Sequence, residues 1–281
     1  MTDFTPFTAD DAAAQIAVPV STDDKYSRGV LGVITGSDQY PGAAVLGVEA
    51  ALHTGVGMVR YLGGERVSGL VLQRRPEAVA GEGRVQAWLI GSGMDHAGRD
   101  EATRAQTTLA MAQALPTVLD GGALDLHEGA AGPVVITPHF GELARVLGVQ
   151  KADIAADPAT WALRAADRLG VTVLLKGHSS YVAGPGIALV ASSAPSWLAT
   201  AGAGDALAGV LGALVATHSQ AVASDPQALA RLAAAACVIH GIAAERASGG
   251  GPFTILDLVS RVPRTIAELL SDAQRTGAVS S

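Results

Sequence analysis

Short apolar runs of the kind that form fully buried strands recur along the chain, separated by helical segments. These runs lack the alternation of a half-exposed strand, so both faces of each strand are expected to be covered. Buried strands that alternate with helices predict an α/β protein with one central, mostly parallel sheet and helices on both faces, a three-layer α/β/α architecture. The runs are Gly29–Thr35, Gly57–Leu62, Ala87–Ile90, Thr117–Asp120, Val134–Thr137 and Val171–Lys176, with two shorter strands expected at residues 180–183 and 188–191.

The spacing of apolar residues predicts helices between and after these strands, and a loop at residues 36–44. No linker, repeat or low-complexity block divides the chain, so we expect one domain at residues 26–275. Residues 1–25 are polar and aperiodic and are interpreted as a partly ordered N-terminal arm, and residues 276–281 as a C-terminal tail. The better defined helices are expected at Arg99–Leu115, Pro158–Leu169, Gly204–Thr217, Asp225–Ser248 and Ile255–Leu270.

Composition excludes several classes of protein. A formal charge of −7 argues against a nucleic-acid-binding surface, which needs clustered lysine and arginine. No apolar run reaches the length of a membrane span, and the N-terminus lacks the order of a signal peptide. The single cysteine, Cys237, lies in an alanine-rich segment, where we expect a buried thiol and not a nucleophile. These features favour a cytoplasmic protein without a membrane partner.

A glycine-rich turn at Thr200–Gly209 leads into a long apolar helix. Small residues let backbone N–H groups approach an anion closely, and the positive end of the helix dipole points to the same place. Gly202, Ala203 and Gly204 are therefore predicted to form an anion hole, and Asp205 is a carboxylate at its edge. That combination suits phosphoryl transfer to a hydroxyl group. The alternative is a small-residue helix start that serves close packing.

Further loops follow the other predicted strands, and in a parallel sheet they all meet at one edge. They are residues 36–44, 91–94, 120–122, 137–142, 176–180 and 200–205. In this order and spacing they resemble the NAD(P)H-hydrate dehydratase family, a carbohydrate-kinase-like branch of the ribokinase-like superfamily. The resemblance covers about residues 25–270, and its most specific parts are Thr137-Pro-His139 with Gly141-Glu142, and Lys176-Gly177 followed by Gly204-Asp205.

The resemblance implies repair of a damaged cofactor on a ribokinase-like fold. Family members remove water from the S-epimer of hydrated NADH or NADPH (NADHX or NADPHX), using ADP or ATP as phosphoryl donor. Asp205 would take the hydroxyl proton, and the amides near Ala203 and Gly204 would stabilise the transferred group. The single-domain layout favours ADP with Mg²⁺, no metal ligand being assigned to the chain. A separate epimerase and a homotetramer are also implied.

The family's binding positions map onto this sequence one by one. Those that bind the adenylate donor correspond to Lys176, Gly177, His178, Ser179, Ser180 and Gly204, with no chemistry assigned to His178. Those that hold the hydrated dinucleotide correspond to Gly42, Ala43, Ala44, Gly93, His139 and Asp205.

Each assignment has a structural alternative. Lys176 could pair with a surface carboxylate, Gly42 to Ala44 could serve helix packing, and His139 could cap a helix. Two other functions stay open for the whole chain: a kinase for a vitamin or sugar alcohol that releases a stable phosphate ester, and a non-catalytic nucleotide sensor. A kinase would keep Asp205, whereas intact Asp205 and Lys176 argue against a sensor.

Overall fold

The computed structural model describes residues 3–192 and 194–276. Within these residues ten strands form a single sheet in the order β1-β10-β9-β8-β7-β6-β5-β2-β3-β4. The strands are β1 Thr5–Pro6, β2 Val30–Ile34, β3 Met58–Tyr61, β4 Val79–Ala80, β5 Ala87–Ile90, β6 Thr117–Leu119, β7 Val134–Ile136, β8 Thr172–Leu175, β9 Ser180–Gly184 and β10 Ile187–Ala191. All neighbouring strands are parallel except β9, which pairs antiparallel to both β8 and β10.

Helices cover both faces of this sheet, so the predicted three-layer α/β/α fold is confirmed. The α-helices are α1 Ala9–Ala13, α2 Pro41–Thr54, α3 Glu65–Arg74, α4 Glu101–Met111, α5 Phe140–Leu147, α6 Lys151–Ala156, α7 Pro158–Leu169, α8 Ala203–Thr217, α9 Ser219–Ser224, α10 Ala228–Ser248 and α11 Ile255–Thr276. Two 3₁₀ segments lie at Gly121–Gly129 and Ser196–Leu198.

Side chains of the central strands alternate between two hydrophobic cores. In β2, Leu31 and Val33 pack into the core beneath α2, α8 and α10, whereas Val30 and Ile34 pack into the core beneath α5 and α7. The same alternation continues through the neighbouring strands. Continuous apolar sequence is required here because both faces of each strand are buried.

The structure corrects the prediction of a loop at residues 36–44. Helix α2 already begins at Pro41, which occupies the first helical position, where its missing N–H costs nothing. Gly42, Ala43 and Ala44 therefore lie in the first turn of a helix. Helix α4 begins at Glu101 and not at Arg99 because the Asp100 side chain caps it by accepting from the Thr103 N–H at 2.7 Å, and it ends at Met111, before the expected Leu115. Helix α10 likewise begins only at Ala228.

Residues at the predicted N-terminal arm join the main sheet. Thr5 and Pro6 of β1 pair with Leu189 and Val190 of β10. Phe4 packs edge-on against Tyr181, with ring centroids 5.1 Å apart. Apart from Thr276, the predicted C-terminal tail at residues 276–281 lies outside the described residues. The domain limits at residues 26 and 275 stay a prediction.

Contrary to the expectation that no apolar run reaches the length of a membrane span, helix α10 is long and apolar enough to cross a membrane by length and composition alone. In the fold, 83% of its apolar window is buried inside the protein. That burial is typical of the central helix of a globular core.

Candidate active site at the carboxyl edge of the sheet

Four polar side chains meet where adjacent parallel strands end. Ser92 follows β5, Asp120 follows β6, Thr137 follows β7 and Lys176 follows β8. Asp120 accepts hydrogen bonds from the Ser92 hydroxyl at 2.8 Å and the Thr137 hydroxyl at 2.7 Å. Because these strands are neighbours in the sheet, residues far apart in sequence form one buried polar cluster.

Lys176 forms an ion pair at the centre of this cluster. Its Nζ lies 2.8 Å from Asp120 Oδ1 and 3.9 Å from Glu142 Oε2. Burial would raise the pKa of Asp120, but the Lys176 ammonium and the hydroxyl donors outweigh it and lower that pKa. Burial would likewise lower the pKa of Lys176, but the surrounding carboxylates raise it. Lys176 is thus paired with a buried carboxylate and not with a surface one.

Asp205 occupies the third position of α8, beside this pair. Burial, and then the negative charges of Asp120 and Glu142, raise the pKa of Asp205 to about 6, with Lys176 acting in the opposite direction. A carboxyl group with a pKa near 6 is ionised at neutral pH yet binds a proton more readily than an ordinary aspartate. Such tuning is typical of a general base.

The glycine-rich turn places backbone N–H groups next to Lys176. Gly202 caps the start of α8 with φ of +91°, a left-handed conformation that glycine adopts without strain. A Cβ at Gly204 would lie 3.3 Å from Lys176 Nζ, so a side chain there would crowd the ammonium. The N–H groups of a first helical turn have no partner within the helix and can bind an anion. The Ala203 N–H donates to the Thr200 carbonyl oxygen over a long 3.4 Å, so an anion would have to replace this bond to use it.

A cavity of about 720 Å³ opens on one side of Lys176. Its polar wall combines the strand-end loop after β8 with the start of α8, and its apolar wall is formed by α8, α10 and the 3₁₀ segment at Ser196–Leu198. Of the predicted donor-binding residues, Lys176, Gly177, His178, Ser180 and Gly204 line it, with Ala203. Ser179 is not on its wall and instead accepts from the Ser192 hydroxyl at 2.9 Å. Cys237 lies on the apolar wall, where burial raises the pKa of its thiol to about 12.

A second cavity of about 400 Å³ lies on the other side of Lys176. Asp205, Gly93 and Gly202 line it, together with Glu142 and Tyr40. Lys176 and Gly204 border both cavities and stand at their junction. The structure therefore places a cation and a glycine turn between two adjacent binding spaces, with the Asp205 carboxyl group in the smaller one.

The remaining predicted acceptor residues stand apart from this second cavity. Ala44 is completely buried in the core, and Gly42 is exposed at the start of α2. Ala43 is 6% exposed and packs against Gly93 so closely that a Cβ at Gly93 would overlap the Cβ of Ala43. His139 lines the larger cavity and caps α5, accepting from the Glu142 N–H at 3.1 Å. His139 therefore caps a helix, and its contact with the hydrated dinucleotide stays a prediction.

Sequence reasoning missed the residues that hold Lys176 in place. Asp120 and Glu142 belong to loops that were singled out, but neither was assigned a role. Asp120 follows a buried strand directly, and this position was the available signal. Its pairing with Lys176 joins residues 56 positions apart, a contact that only the strand order reveals.

No group of three or more His, Cys, Asp or Glu side chains suited to a metal ion occurs in the described part of the chain. The carboxylates of Glu142 and Asp205 nevertheless face the smaller cavity. One or two carboxylates combined with nucleotide phosphates are the usual environment of Mg²⁺. These residues fit a Mg²⁺ that arrives with a nucleotide.

Comparison with known proteins identifies the family to which this chain belongs. Residues 31–256 match the family described as NAD(P)H-hydrate dehydratase. A bifunctional NAD(P)H-hydrate repair enzyme of Mycobacterium tuberculosis is 44% identical over 229 residues, which cover 77% of this chain and 47% of that protein. The chain thus spans about half the length of this relative. An ADP-dependent (S)-NAD(P)H-hydrate dehydratase of Xanthomonas campestris is 34% identical over 73% of this chain and 78% of its own length.

Solved structures support the fold. The crystal structure of an ADP/ATP-dependent NAD(P)H-hydrate dehydratase from Bacillus subtilis, co-crystallised with ATP and Mg²⁺, superposes with a TM-score of 0.84. It is 24% identical and covers 96% of this chain and 100% of its own. A hydroxyethylthiazole kinase from Pyrococcus horikoshii superposes less well, with a TM-score of 0.62 at 18% identity.

Proposed function

The chain belongs to the NAD(P)H-hydrate dehydratase family, and from this premise we propose that it converts the S-epimers of NADHX and NADPHX back to NADH and NADPH. The donor is ADP, and the other products are AMP and inorganic phosphate. The observation that supports this reaction best is the position of Asp205: a carboxyl group of raised pKa beside the glycine turn and Lys176, where two cavities meet.

The larger cavity accommodates the adenylate donor, and the smaller one the hydrated nicotinamide. The C6 hydroxyl oxygen of the hydrate attacks the β-phosphorus of ADP, and the bond from that phosphorus to the AMP oxygen breaks. Asp205 accepts the hydroxyl proton as the new bond forms. N–H groups of the turn at Gly202–Gly204 and the Lys176 ammonium stabilise negative charge on the transferred group.

Phosphorylation makes the dehydration possible because phosphate leaves far more readily than hydroxide. The lone pair of the ring nitrogen assists cleavage of the C6–O bond, and loss of a proton from C5 restores the 5,6 double bond. Bound Mg²⁺ would neutralise charge on the donor phosphates, and Glu142 and Asp205 are the carboxylates available to its water shell.

The cellular setting forms part of the same proposal. An epimerase activity outside this chain would supply the S-epimer from the R-epimer. This fits the name of the Xanthomonas relative, which specifies one epimer, and the naming of the mycobacterial relative as bifunctional. We also propose that the protein works in the cytoplasm as a homotetramer, which light scattering coupled to size-exclusion chromatography would test.

The decisive experiment incubates synthetic NADHX with the protein, ADP and Mg²⁺. Recovery of dihydronicotinamide absorbance, with AMP and phosphate found by mass spectrometry, is the expected result. ATP in place of ADP tests the choice of donor. A stable phosphate ester of a thiazole, pyrimidine or sugar alcohol, formed while the hydrate stays unchanged, would instead establish a small-molecule kinase.

Donor binding is tested separately by thermal shift. Saturating ADP should raise the melting temperature, because a ligand that binds only the folded state stabilises it. Lys176→Met should reduce that shift. Lys25→Met is the matched control, since Lys25 is exposed and lies on neither cavity wall. A full ADP shift in Lys176→Met would remove Lys176 from the donor site.

A further inference from the structure

Among the described residues that line the smaller cavity, Arg145 is the only arginine. It follows Glu142 by three positions on α5, so the two side chains project from the same side of this helix. Glu142 Oε2 lies 3.9 Å from Lys176 Nζ, and Arg145 Nη2 lies 3.4 Å from the carbonyl oxygen of Gly121. Gly121 directly follows Asp120, whose carboxylate pairs with Lys176 at 2.8 Å. Arg145 is thus anchored beside two residues that both approach the Lys176 ammonium.

The Arg145 side chain is accessible and has unpaired N–H donors. A guanidinium carries five such donors. Within residues 3–192 and 194–276 the one hydrogen bond of Arg145 is that to the Gly121 carbonyl, and 3.4 Å is long for a bond of this kind. No carboxylate forms an ion pair with Arg145 in this part of the chain. Because Arg145 is exposed, a ligand in the cavity can contact its guanidinium.

The other charged groups on this wall are mostly negative, and its other cation is already paired. Lys176 is held by Asp120, and His96 lies 3.5 Å from a carboxylate oxygen of Asp95. An anionic group of a ligand would therefore be repelled by most of the wall and attracted by Arg145. The carboxylates that line the cavity are Asp95, Asp120, Glu142 and Asp205.

The proposed acceptor carries an anionic group next to the part that reacts. Its C6 hydroxyl belongs to the nicotinamide ring, the ring is joined to a ribose, and the ribose is joined to the pyrophosphate. When the hydroxyl lies at Asp205, the ring and ribose lead away from that carboxylate and the pyrophosphate comes next. A guanidinium suits this group because it can donate two parallel N–H bonds to phosphate oxygens.

We infer that Arg145 binds the pyrophosphate of the hydrated dinucleotide and so selects acceptors that carry a phosphate. The inference rests on the proposed function for the identity of the ligand. Arg145 is then a specificity residue that contacts the substrate away from the reacting atoms. Its contact is made equally before and during the reaction, so it should contribute to KM and hardly to kcat.

The test compares NADHX with the hydrate of reduced nicotinamide riboside, which has the same ring and no phosphate. Arg145→Met should lower kcat/KM for NADHX by roughly 10–100-fold, mainly through KM, because a hydrogen bond to a charged group is lost. With the riboside hydrate, wild type and Arg145→Met should be equal. Arg145→Lys keeps the charge but not the two parallel donors, so its loss with NADHX should be intermediate.

Arg104→Met is the matched control, since Arg104 is exposed on α4 and lines neither cavity. It should behave as wild type with both substrates. The ADP thermal shift of Arg145→Met should also be unchanged. A lost ADP shift would place Arg145 at the donor and overturn the inference, as would an equal loss of kcat/KM with the riboside hydrate. A loss with NADPHX but not NADHX would overturn it too, because Arg145 would then bind the 2′-phosphate.

Failure of wild type to convert any of these hydrates would count against the proposed function instead. The inference is then tested by calorimetric titration with reduced nicotinamide mononucleotide and with reduced nicotinamide riboside. Tighter binding of the mononucleotide by wild type but not by Arg145→Met would support the phosphate contact. Equal affinity of wild type for the two probes would overturn it.

Discussion

Asp205, the proposed base, lies in a buried environment that disfavours its negative charge. As the proposed base it acts in the transition state, so Asp205→Asn should lower kcat by roughly 10²–10⁴-fold while the affinity for ADP changes little. The measurement is steady-state turnover of NADHX together with the ADP thermal shift. Near-normal turnover in Asp205→Asn would exclude Asp205 as the base.

The same substitution should stabilise the fold near neutral pH. Because the folded-state pKa of Asp205 is raised to about 6 from its ordinary value of 3.8, ionising it costs folding free energy as pH rises through this interval. Asparagine removes that cost, so the melting temperature of the variant should exceed that of wild type at pH 7. The difference should vanish at a pH below 3.8.

Turnover should fall as the pH is lowered, because the proposed base must be unprotonated to act. Below pH about 6, Asp205 is protonated, and kcat/KM should fall about tenfold per pH unit. Asp120 carries one of the negative charges that raise this pKa, so Asp120→Asn should move the inflection to lower pH. An inflection that stays in place in Asp120→Asn would show that the titrating group is not Asp205.

At the scale of elements, helices α2 and α8 pack closely against each other near Asp205. A Cβ at Gly209 would overlap the Gly47 carbonyl oxygen and lie 2.9 Å from the Ala50 Cβ. Gly209→Ala should therefore cost about 1–3 kcal/mol in the free energy of unfolding, measured by urea denaturation. Gly69→Ala, in α3 with open space around it, should instead stabilise the protein by up to about 1 kcal/mol.

The first turn of α2 gives a second prediction at this scale. Ala43 is packed against Gly93, which lines the cavity of Asp205, so Ala43→Leu should displace Gly93 and raise the KM for NADHX severalfold. ADP binding on the other side of Lys176 should hardly change. Gly42→Ala, one position earlier and exposed with open space around it, is the matched control. A raised KM in Gly42→Ala as well would mean that any change in this turn disturbs the acceptor.

The elements that could be predicted from sequence are those whose residues are buried on both faces. Continuous apolar sequence identified β2, β5 and β8 closely, because burial leaves no polar positions in such strands. Strand β1 has only two residues, both exposed, and therefore no pattern to detect. Helix α3 is polar and partly exposed, and its sequence was not identified as helical.

The residues of the candidate site also fall into those that could be predicted from sequence and those that could not. Lys176, Gly204 and Asp205 could be found because they sit at chain positions where a strand ends or a helix begins. Asp120 as the partner of Lys176, and the position of Arg145 on the wall of the smaller cavity, could not be found. Both depend on which strands are neighbours, and no local pattern encodes the order of strands in a sheet.

At the scale of the whole molecule, the N-terminal segment closes the sheet beside the larger cavity. Phe4 packs on Tyr181 of β9, and β10 ends at Ala191, which lines that cavity. Phe4→Ala should cost about 1–2 kcal/mol in unfolding free energy and also weaken the ADP thermal shift. Val18→Ala, at a position 58% exposed, should change neither. If Phe4→Ala is destabilised but its ADP thermal shift is unaltered, this edge of the sheet does not influence the donor site.

The pairing of Thr5 with Leu189 also has a consequence for synthesis. A ribosome makes the chain from its N-terminus, so β1 exists as an unpaired segment until β9 and β10 have emerged. The first of the ten described strands can therefore join the sheet only after β10. The wall of the larger cavity is itself incomplete until Cys237 and His240 of α10 have emerged. A nascent chain should accordingly gain the ability to retain a nucleotide only after α10 has emerged, and not gradually as it lengthens.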